Sequence, residues 1–328
     1  MSSWRDKRVL ITGAGGFIGS HLAERLAEEG ARVCAFVHYN ALGTCGWLDQ
    51  SPHRSAMEVI AGDITDRDSV CGAVRNMDVV FHLAALIGIP YSYRAPASYI
   101  RTNIEGTMNV LHAVRESGVQ RLVHTSTSEV YGTALSVPIT EGHSLQGQSP
   151  YAASKIGADK MAEAFYLTYG VPVVIVRPFN TFGPRQSMRA IVPTIITQAL
   201  SGGPIKLGNL TPTRDLNFQA NTVDGFVAAG AATGAIGQTI NLGSGREISI
   251  GDLVLMIARL IGSEIRIESD QQRLRPEKSE VERLLADPSL AFKLLGWVPK
   301  ISLEDGLHRT IAWFQRQGKI IPHGPYVI

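Results

Sequence analysis

Tyr151 and Lys155 stand four residues apart in "SPYAASK", a spacing that puts both on one face of a helix. A phenol with an ordinary pKa of about 10 is a poor base at neutral pH, and a cation beside it stabilises the phenolate. Such a pair can take a proton from an alcohol while its carbon is oxidised. Upstream, "HTSTSEVYG" ends an apolar strand on Thr127, Ser128 and Glu129. Hydroxyls and a carboxylate are costly to bury without partners, so they read either as the floor of a site or as caps for the next turn.

The elements that must hold these residues follow from the apolar pattern. "RVLITG", "ARVCAFV", "MEVIAGDI", "MDVVFHLAA" and "RLVHTST" are short apolar runs separated by amphipathic stretches such as "GSHLAERLAEEG" and "NIEGTMNVLHAVRESG". Val, Ile and Leu on both faces predict parallel pairing in a doubly wound α/β sheet. The long helix "SPYAASKIGADKMAEAFYLTYG" and the strand "VPVVIVRP" extend that sheet to at least six strands. From about Phe179 the rhythm breaks into Pro- and Gly-bearing loops, with short strands near "PIKLG" and "TINLGS" and helices at "IVPTIITQALSGG", "IGDLVLMIARLIG" and "SLEDGLHRTIAWFQRQG". The expected division is a dinucleotide-binding domain over 1–178, with a return segment near 215–245, and an interleaved substrate region over 179–328. The apolar ending "IPHGPYVI" is a candidate docking segment.

The first strand enters "TGAGGFIGSHL", where Gly13, Gly16 and Gly19 are spaced G-x-x-G-x-x-G. Glycines at a strand-to-helix turn let the backbone approach a pyrophosphate, which the N–H groups and dipole of the helix then hold. The second strand ends in Val37 followed by His38, Tyr39 and Asn40. No carboxylate is there for a ribose 2′-hydroxyl, so a 2′-phosphate is at least as compatible and the expected cofactor is NAD(P). Asp63 and Ile64 close the third strand, where the carboxylate can accept from an adenine amino group or cap a helix.

Composition excludes several classes. The 328 residues carry a formal charge of +2 with Lys and Arg scattered, which gives no footprint for nucleic acid or an acidic membrane surface. Cys34, Cys45 and Cys71 are too few and too irregular for a disulfide framework or a zinc site. With no metal constellation, apolar leader or membrane span in view, a cytoplasmic protein is expected.

The stretches "TGAGGFIGSHL", "FHLAA", "TNIEGTMNVL", "STSEVYG", "SPYAASK", "RPFNTFGPR", "PTRDLNF" and "LLGWVPK" run in order over almost the whole chain. With them the sequence resembles the extended short-chain dehydrogenases/reductases, specifically their nucleotide-sugar epimerase and dehydratase group. The resemblance implies a Rossmann fold and a likeness to 4,6-dehydratases of UDP- or GDP-linked N-acetylhexosamines. It makes Gly13, Gly16, Phe17, Ile18 and Gly19, with His38, Asp63, Ile64 and Leu83, Ala84 and Ala85 of "FHLAA", the cofactor contacts. It makes Tyr151 the base at the sugar 4-hydroxyl, Lys155 its electrostatic and cofactor-ribose partner, and Thr127 a donor to the same oxygen. Glu129 becomes the base that removes the C5 proton once C4 is a ketone, after which the C6 hydroxyl leaves as water. Ser128 stands where many dehydratases carry Asp, so Glu129 is expected to serve as base and then as acid.

For the substrate, the resemblance assigns Asn180, Arg214 and Arg275 to the diphosphate and sugar side and Glu280 to the nucleotide ribose, with Arg185 and Arg189 as further cations. Leu86, Ile87, Ile89, Tyr91 and Tyr93 of "LIGIPYSYRAP" would wall an apolar sugar pocket suited to an acetamido methyl, or simply pack a loop. UDP-N-acetylglucosamine is therefore the favoured substrate. The rivals are a UDP-glucuronate decarboxylase using Arg185 or Arg189, a 4-epimerase, and an NAD(P)-sensing scaffold that has no use for a reactive phenol. A homodimer through "NIEGTMNVLHAV" and "YAASKIGADKMAEAFYL" is implied by the resemblance. His82 and His124, in apolar strands, are expected to be satisfied core groups, and Asn103 to serve helix geometry or the cofactor side.

Overall fold

The computed structural model describes residues 3–264 and 266–317, so the "IPHGPYVI" segment lies outside the described residues. Seven strands form one sheet: β1 (Arg8–Thr12), β2 (Arg32–His38), β3 (Met57–Gly62), β4 (Val79–His82), β5 (Arg121–Thr125), β6 (Val173–Pro178) and β7 (Thr239–Leu242). Their order is β7-β6-β5-β4-β1-β2-β3, and every pairing is parallel. The central strands, such as "VVFH" of β4, are buried along their whole length, as expected when helices cover both faces.

Eight main helices accompany the sheet: α1 (Phe17–Glu28), α2 (Arg67–Val74), α3 (Gly106–Ser117), α4 (Pro150–Tyr169), α5 (Ile191–Leu200), α6 (Gln219–Ala231), α7 (Ile250–Ile261) and α8 (Leu303–Gln317). Leu22 of α1 and Phe226 of α6 pack on Val9, Ile11 and Val37 on one face. On the other, Val70, Val110 and Phe165 of α2, α3 and α4 pack on Leu10, Val80 and Leu122. A third core joins α5, α7 and α8 through Ile195, Leu253, Ile257, Leu307 and Phe314.

The strand at "TINLGS" is β7 of the main sheet and lies within the 215–245 segment that returns to it. Parallel pairing needs a crossover, and α6 supplies it by packing on α1 and returning the chain to the edge of β6. The junction is pinned by Asp215, a buried carboxylate that accepts from Ser244 N at 2.7 Å, Ser244 Oγ at 2.6 Å, Gly245 N at 2.9 Å and Ala286 N at 3.2 Å.

Two helix starts matter most for the site. Ser149 caps α4 by accepting from Ala152 N at 3.1 Å, Pro150 occupies the first turn, and Gly170 ends the helix in a left-handed conformation. By contrast α1 begins after Gly16 with no side-chain cap. Its first-turn N–H groups are thus available to an anion.

Candidate active site

The strand order reverses between β1 and β4, which opens a cleft beyond their carboxyl ends. Gly13 turns there with φ +71°, and a β-carbon on it would lie 2.8 Å from Ala84 N. Thr12 ties the two strand ends together, because its Oγ1 accepts from Leu83 N at 3.2 Å and Ala84 N at 3.1 Å. Gly19 packs so closely that a β-carbon would overlap the Gly13 carbonyl oxygen. The turn and the uncapped helix that follows, through Phe17, Ile18 and Gly19, fit the pyrophosphate of a dinucleotide. Nothing but glycine at positions 13 and 19 leaves that approach open.

Around this turn the other expected cofactor residues are spread out. Ala85 is half-buried beside Ala84. Ile64 is buried against Gly106 at the start of α3. Asp63 accepts from Thr65 N at 2.8 Å and Thr65 Oγ1 at 2.9 Å, so it braces the turn after β3, while Asp66 caps α2. His38 is exposed at the end of β2. Beside it a cavity of about 280 Å³ is lined by Val37, Tyr39, Asn40, Cys45 and Arg54 among others, with no carboxylate in its wall. Arg54 is a cation that the sequence pattern did not single out.

His82 is buried with Nδ1 2.8 Å from Thr12 Oγ1 and Nε2 3.0 Å from Thr107 Oγ1, and burial holds its pKa well below the usual value. His124 is likewise buried, 3.2 Å from Asp159 through Nε2. His82 is satisfied through both ring nitrogens, as expected of a core histidine, whereas His124 Nδ1 is buried without a hydrogen-bond partner.

Tyr151, Lys155, Thr127, Ser128 and Glu129 come together where β5 meets the first turns of α4, and all five are buried. Thr127 caps the short turn Ser128–Tyr131 by accepting from Glu129 N at 3.2 Å. The capping reading of "STSE" is realised, and Thr127 also acts on the Tyr151 phenol. Burial raises the phenol above its ordinary pKa, Thr127 opposes that shift, and the Glu129 carboxylate adds to it. Tyr99 lies edge-on to Tyr151, with ring centroids 6.2 Å apart, and donates to the Gly88 carbonyl at 2.5 Å.

Lys155 Nζ donates to the Thr125 carbonyl at 2.6 Å. Burial lowers its pKa to about 8, with Asp159 pulling the other way. Asp159, one helical turn further along α4, also accepts from Ser126 Oγ at 2.7 Å and from Arg177 Nη2 at 3.0 Å. Arg177 in turn reaches Tyr131 Oη at 3.0 Å, and Tyr131 donates to Asn241 at 2.7 Å. This buried network fixes the charge surroundings of Lys155 from β5, β6 and β7.

At the far end, Arg214, Arg275 and Glu280 form one cluster. Arg214 Nη2 is 3.3 Å and Arg275 Nη1 3.5 Å from Glu280 Oε1. Arg214 is buried; desolvation lowers its pKa, Glu129 opposes that as a counter-charge, and Arg275 repels it. A single cluster therefore lies within electrostatic reach of the carboxylate at the reacting end. Arg275 Nη1 and Asn180 Oδ1 are buried polar atoms without hydrogen-bond partners, as groups shaped for a ligand would be.

Two other expectations are corrected by the geometry. Arg185 makes a bidentate pair with Glu24 on α1, at 3.0 and 2.9 Å, from a left-handed backbone with φ +69°. It serves as a tether for its loop, not as a member of the Arg214 cluster. Ile87 is 65% exposed and Tyr91 41%, whereas Ile89, Tyr99 and Tyr151 form the buried wall with Leu86 and Tyr93 against it. Leu86, Ile89 and Tyr93 of the expected wall are thus in the cluster, while Ile87, just before the short helix Ile89–Arg94, and Tyr91 on it are exposed. Asn103, in a π-helical segment, accepts from Leu86 N at 2.9 Å and donates to Ser154 Oγ at 2.9 Å, which fixes the start of that wall.

Fold and cleft together define a dinucleotide-binding α/β protein with a buried Tyr, Lys, Thr and Glu at its switch point. The chain matches the GDP-mannose 4,6 dehydratase family over residues 10–310 and belongs to it. It is 33% identical to a UDP-glucose 4-epimerase of Mycolicibacterium smegmatis, covering 95% of this chain and 100% of that one. It is 31% identical to a dTDP-glucose 4,6-dehydratase of an Actinoplanes species, over 94% and 98%. Among solved structures, DesIV, a dTDP-glucose 4,6-dehydratase from Streptomyces venezuelae with NAD bound, superposes with a TM-score of 0.86 at 30% identity, covering 94% of this chain and 97% of that one. A UDP-glucuronic acid 4-epimerase from Bacillus cereus with UDP-glucuronic acid and NAD also gives 0.86, at 29% identity over 94% and 99%.

Proposed function

We propose that this protein is an NAD(P)-dependent nucleotide-sugar 4,6-dehydratase, with UDP-N-acetylglucosamine as its favoured substrate. The observation that carries this reading is the buried Glu129 carboxylate, set in the field of both Tyr151 and Arg214. An enzyme that only removes and returns hydrogen at C4 has no need of a second proton-transfer group. Water elimination across C5 and C6 does.

A nicotinamide dinucleotide held by the Gly13–Gly19 turn supplies reversible oxidation and reduction of the sugar. The protein handles the protons. Tyr151, beside Thr127, takes the 4-hydroxyl proton; C4 stays a ketone, and that proton balances the one C5 regains when hydride returns to C6. Glu129 takes the C5 proton and, now protonated, gives it to the departing C6 hydroxyl, so water leaves with no net proton lost. Lys155 would contact the cofactor ribose. Arg214, Arg275 and Asn180 would grip the diphosphate and sugar side, and Glu280 the nucleotide ribose. The wall of Leu86, Ile89, Tyr93 and Tyr99 is apolar enough for an acetamido methyl.

A decarboxylase is less well supported. Its C6 carboxylate needs a cation, but Arg185 is paired with Glu24 and Arg189 is exposed. A 4-epimerase is the second reading, because relatives of that activity stand beside the dehydratases at similar identity. Mass spectrometry combined with NMR of the products, after incubation with UDP-N-acetylglucosamine, its GDP counterpart, UDP-glucose and UDP-glucuronic acid, separates the three. Loss of water from a neutral sugar is expected, and its absence in the Glu129→Gln variant would assign the step. Unchanged mass with inverted C4 would make the protein an epimerase; loss of carbon dioxide would make it a decarboxylase.

A further inference from the structure

Three parts of the site that are distant in the chain meet at one hydroxyl. Ser279 lies in the short turn Glu277–Ser279, four residues beyond Arg275 and directly before Glu280. Its Oγ donates to the Gln148 carbonyl at 2.6 Å and lies 2.7 Å from Tyr93 Oη. A serine hydroxyl has one hydrogen, so Tyr93 is the donor in the second bond. Tyr93 packs against the Ile89, Tyr99 and Tyr151 cluster. Gln148 immediately precedes Ser149, the cap of the helix that carries Tyr151.

Gln148 strengthens the same junction. Its Nε2 donates to the Lys278 carbonyl at 3.2 Å and the Glu280 carbonyl at 3.3 Å, and its Oε1 accepts from Thr133 N. The backbone of Glu280 is therefore bonded toward α4 while its carboxylate is shared by Arg214 and Arg275. A diphosphate arriving at those guanidiniums competes with that carboxylate for them.

We propose that Ser279 and Tyr93 are positioning residues that transmit occupancy of the Arg214–Arg275–Glu280 cluster to the sugar wall at 89–94 and the first turn of α4. The proposal rests on the nucleotide-sugar reading above. Its physical content is that binding of the nucleotide, remote from the reacting carbon, orders the groups around that carbon.

The test is hydrogen–deuterium exchange on the full-length protein with and without saturating UDP, GDP or dTDP, each binding first checked by calorimetry. None of these probes carries a sugar. In the wild type, a nucleotide that binds should slow exchange at 89–94 and 149–153 by about two- to thirtyfold. Ser279→Ala should abolish that distant protection while keeping nucleotide affinity within about threefold, with a modest fall in Tm from the two lost hydrogen bonds, and Tyr93→Phe should abolish the protection likewise. Ser279→Thr, which keeps the hydroxyl, should restore it. Protection confined to the residues around 214 and 275–280, or distant protection that survives Ser279→Ala, would overturn the bridge while leaving the nucleotide-sugar reading intact. Failure of all three nucleotides to bind would overturn that reading and the bridge with it.

Discussion

Lys155 shows how burial alters a single side chain. The folded protein holds its proton with a pKa of about 8, against 10.5 for an unperturbed lysine. Between those values the unfolded chain binds more protons, so stability rises with pH across that window, and the full burden of the buried charge is present below about 8. The wild type should therefore gain stability relative to Lys155→Met as pH is raised from 8 to 10, measured by urea midpoints; a difference that stays flat would place the ammonium in solvent. Tyr151 and Lys155 stand out in the sequence by type and spacing, whereas the role given to Glu129 comes from the resemblance. The partners of Lys155 do not stand out: Asp159 sits on the same helix, but its counter-charge Arg177 comes from β6 and its hydrogen bond from Ser126 follows β5. Arg185 was misread for the same reason, since its partner Glu24 is 161 residues away.

Among the elements, α4 has the most legible start and the most direct bearing on the site. Ser149, Pro150 and Gly170 are the residues a helix of this length needs at its ends, and the Ser149 hydroxyl satisfies the N–H of Ala152, the residue after Tyr151. Ser149→Ala should lower stability by about 1 kcal/mol. It should also loosen the first turn of α4, so that turnover falls while α4 itself persists; turnover equal to wild type would show that the cap does not position Tyr151. The wall at 89–94 was harder to read. Its apolar letters were visible, but the helical turn that buries Ile89 and exposes Tyr91 is set by Asn103 and Tyr99 from other segments.

For the molecule as a whole, Asp215 joins the segment after β7 to that around Ala286. Each of its oxygens accepts two hydrogen bonds, so Asp215→Asn would set an NH2 group against two N–H or O–H donors. About 3 kcal/mol of destabilisation is expected, measured as a shift in urea midpoint. A shift under about 0.5 kcal/mol would mean that the junction is not under strain from its donors. The short continuous apolar runs by themselves determined the parallel sheet, because a strand buried on both faces can be recognised from its own residues. The glycine turn and the Tyr–Lys spacing were determined in the same local way. That β7 closes the sheet, that Arg214, Arg275 and Glu280 share one cluster, and that Ser279 meets Tyr93 were decided only by the tertiary structure. These pairings join segments 60 or more residues apart, and no local pattern encodes which distant polar group will satisfy a buried one.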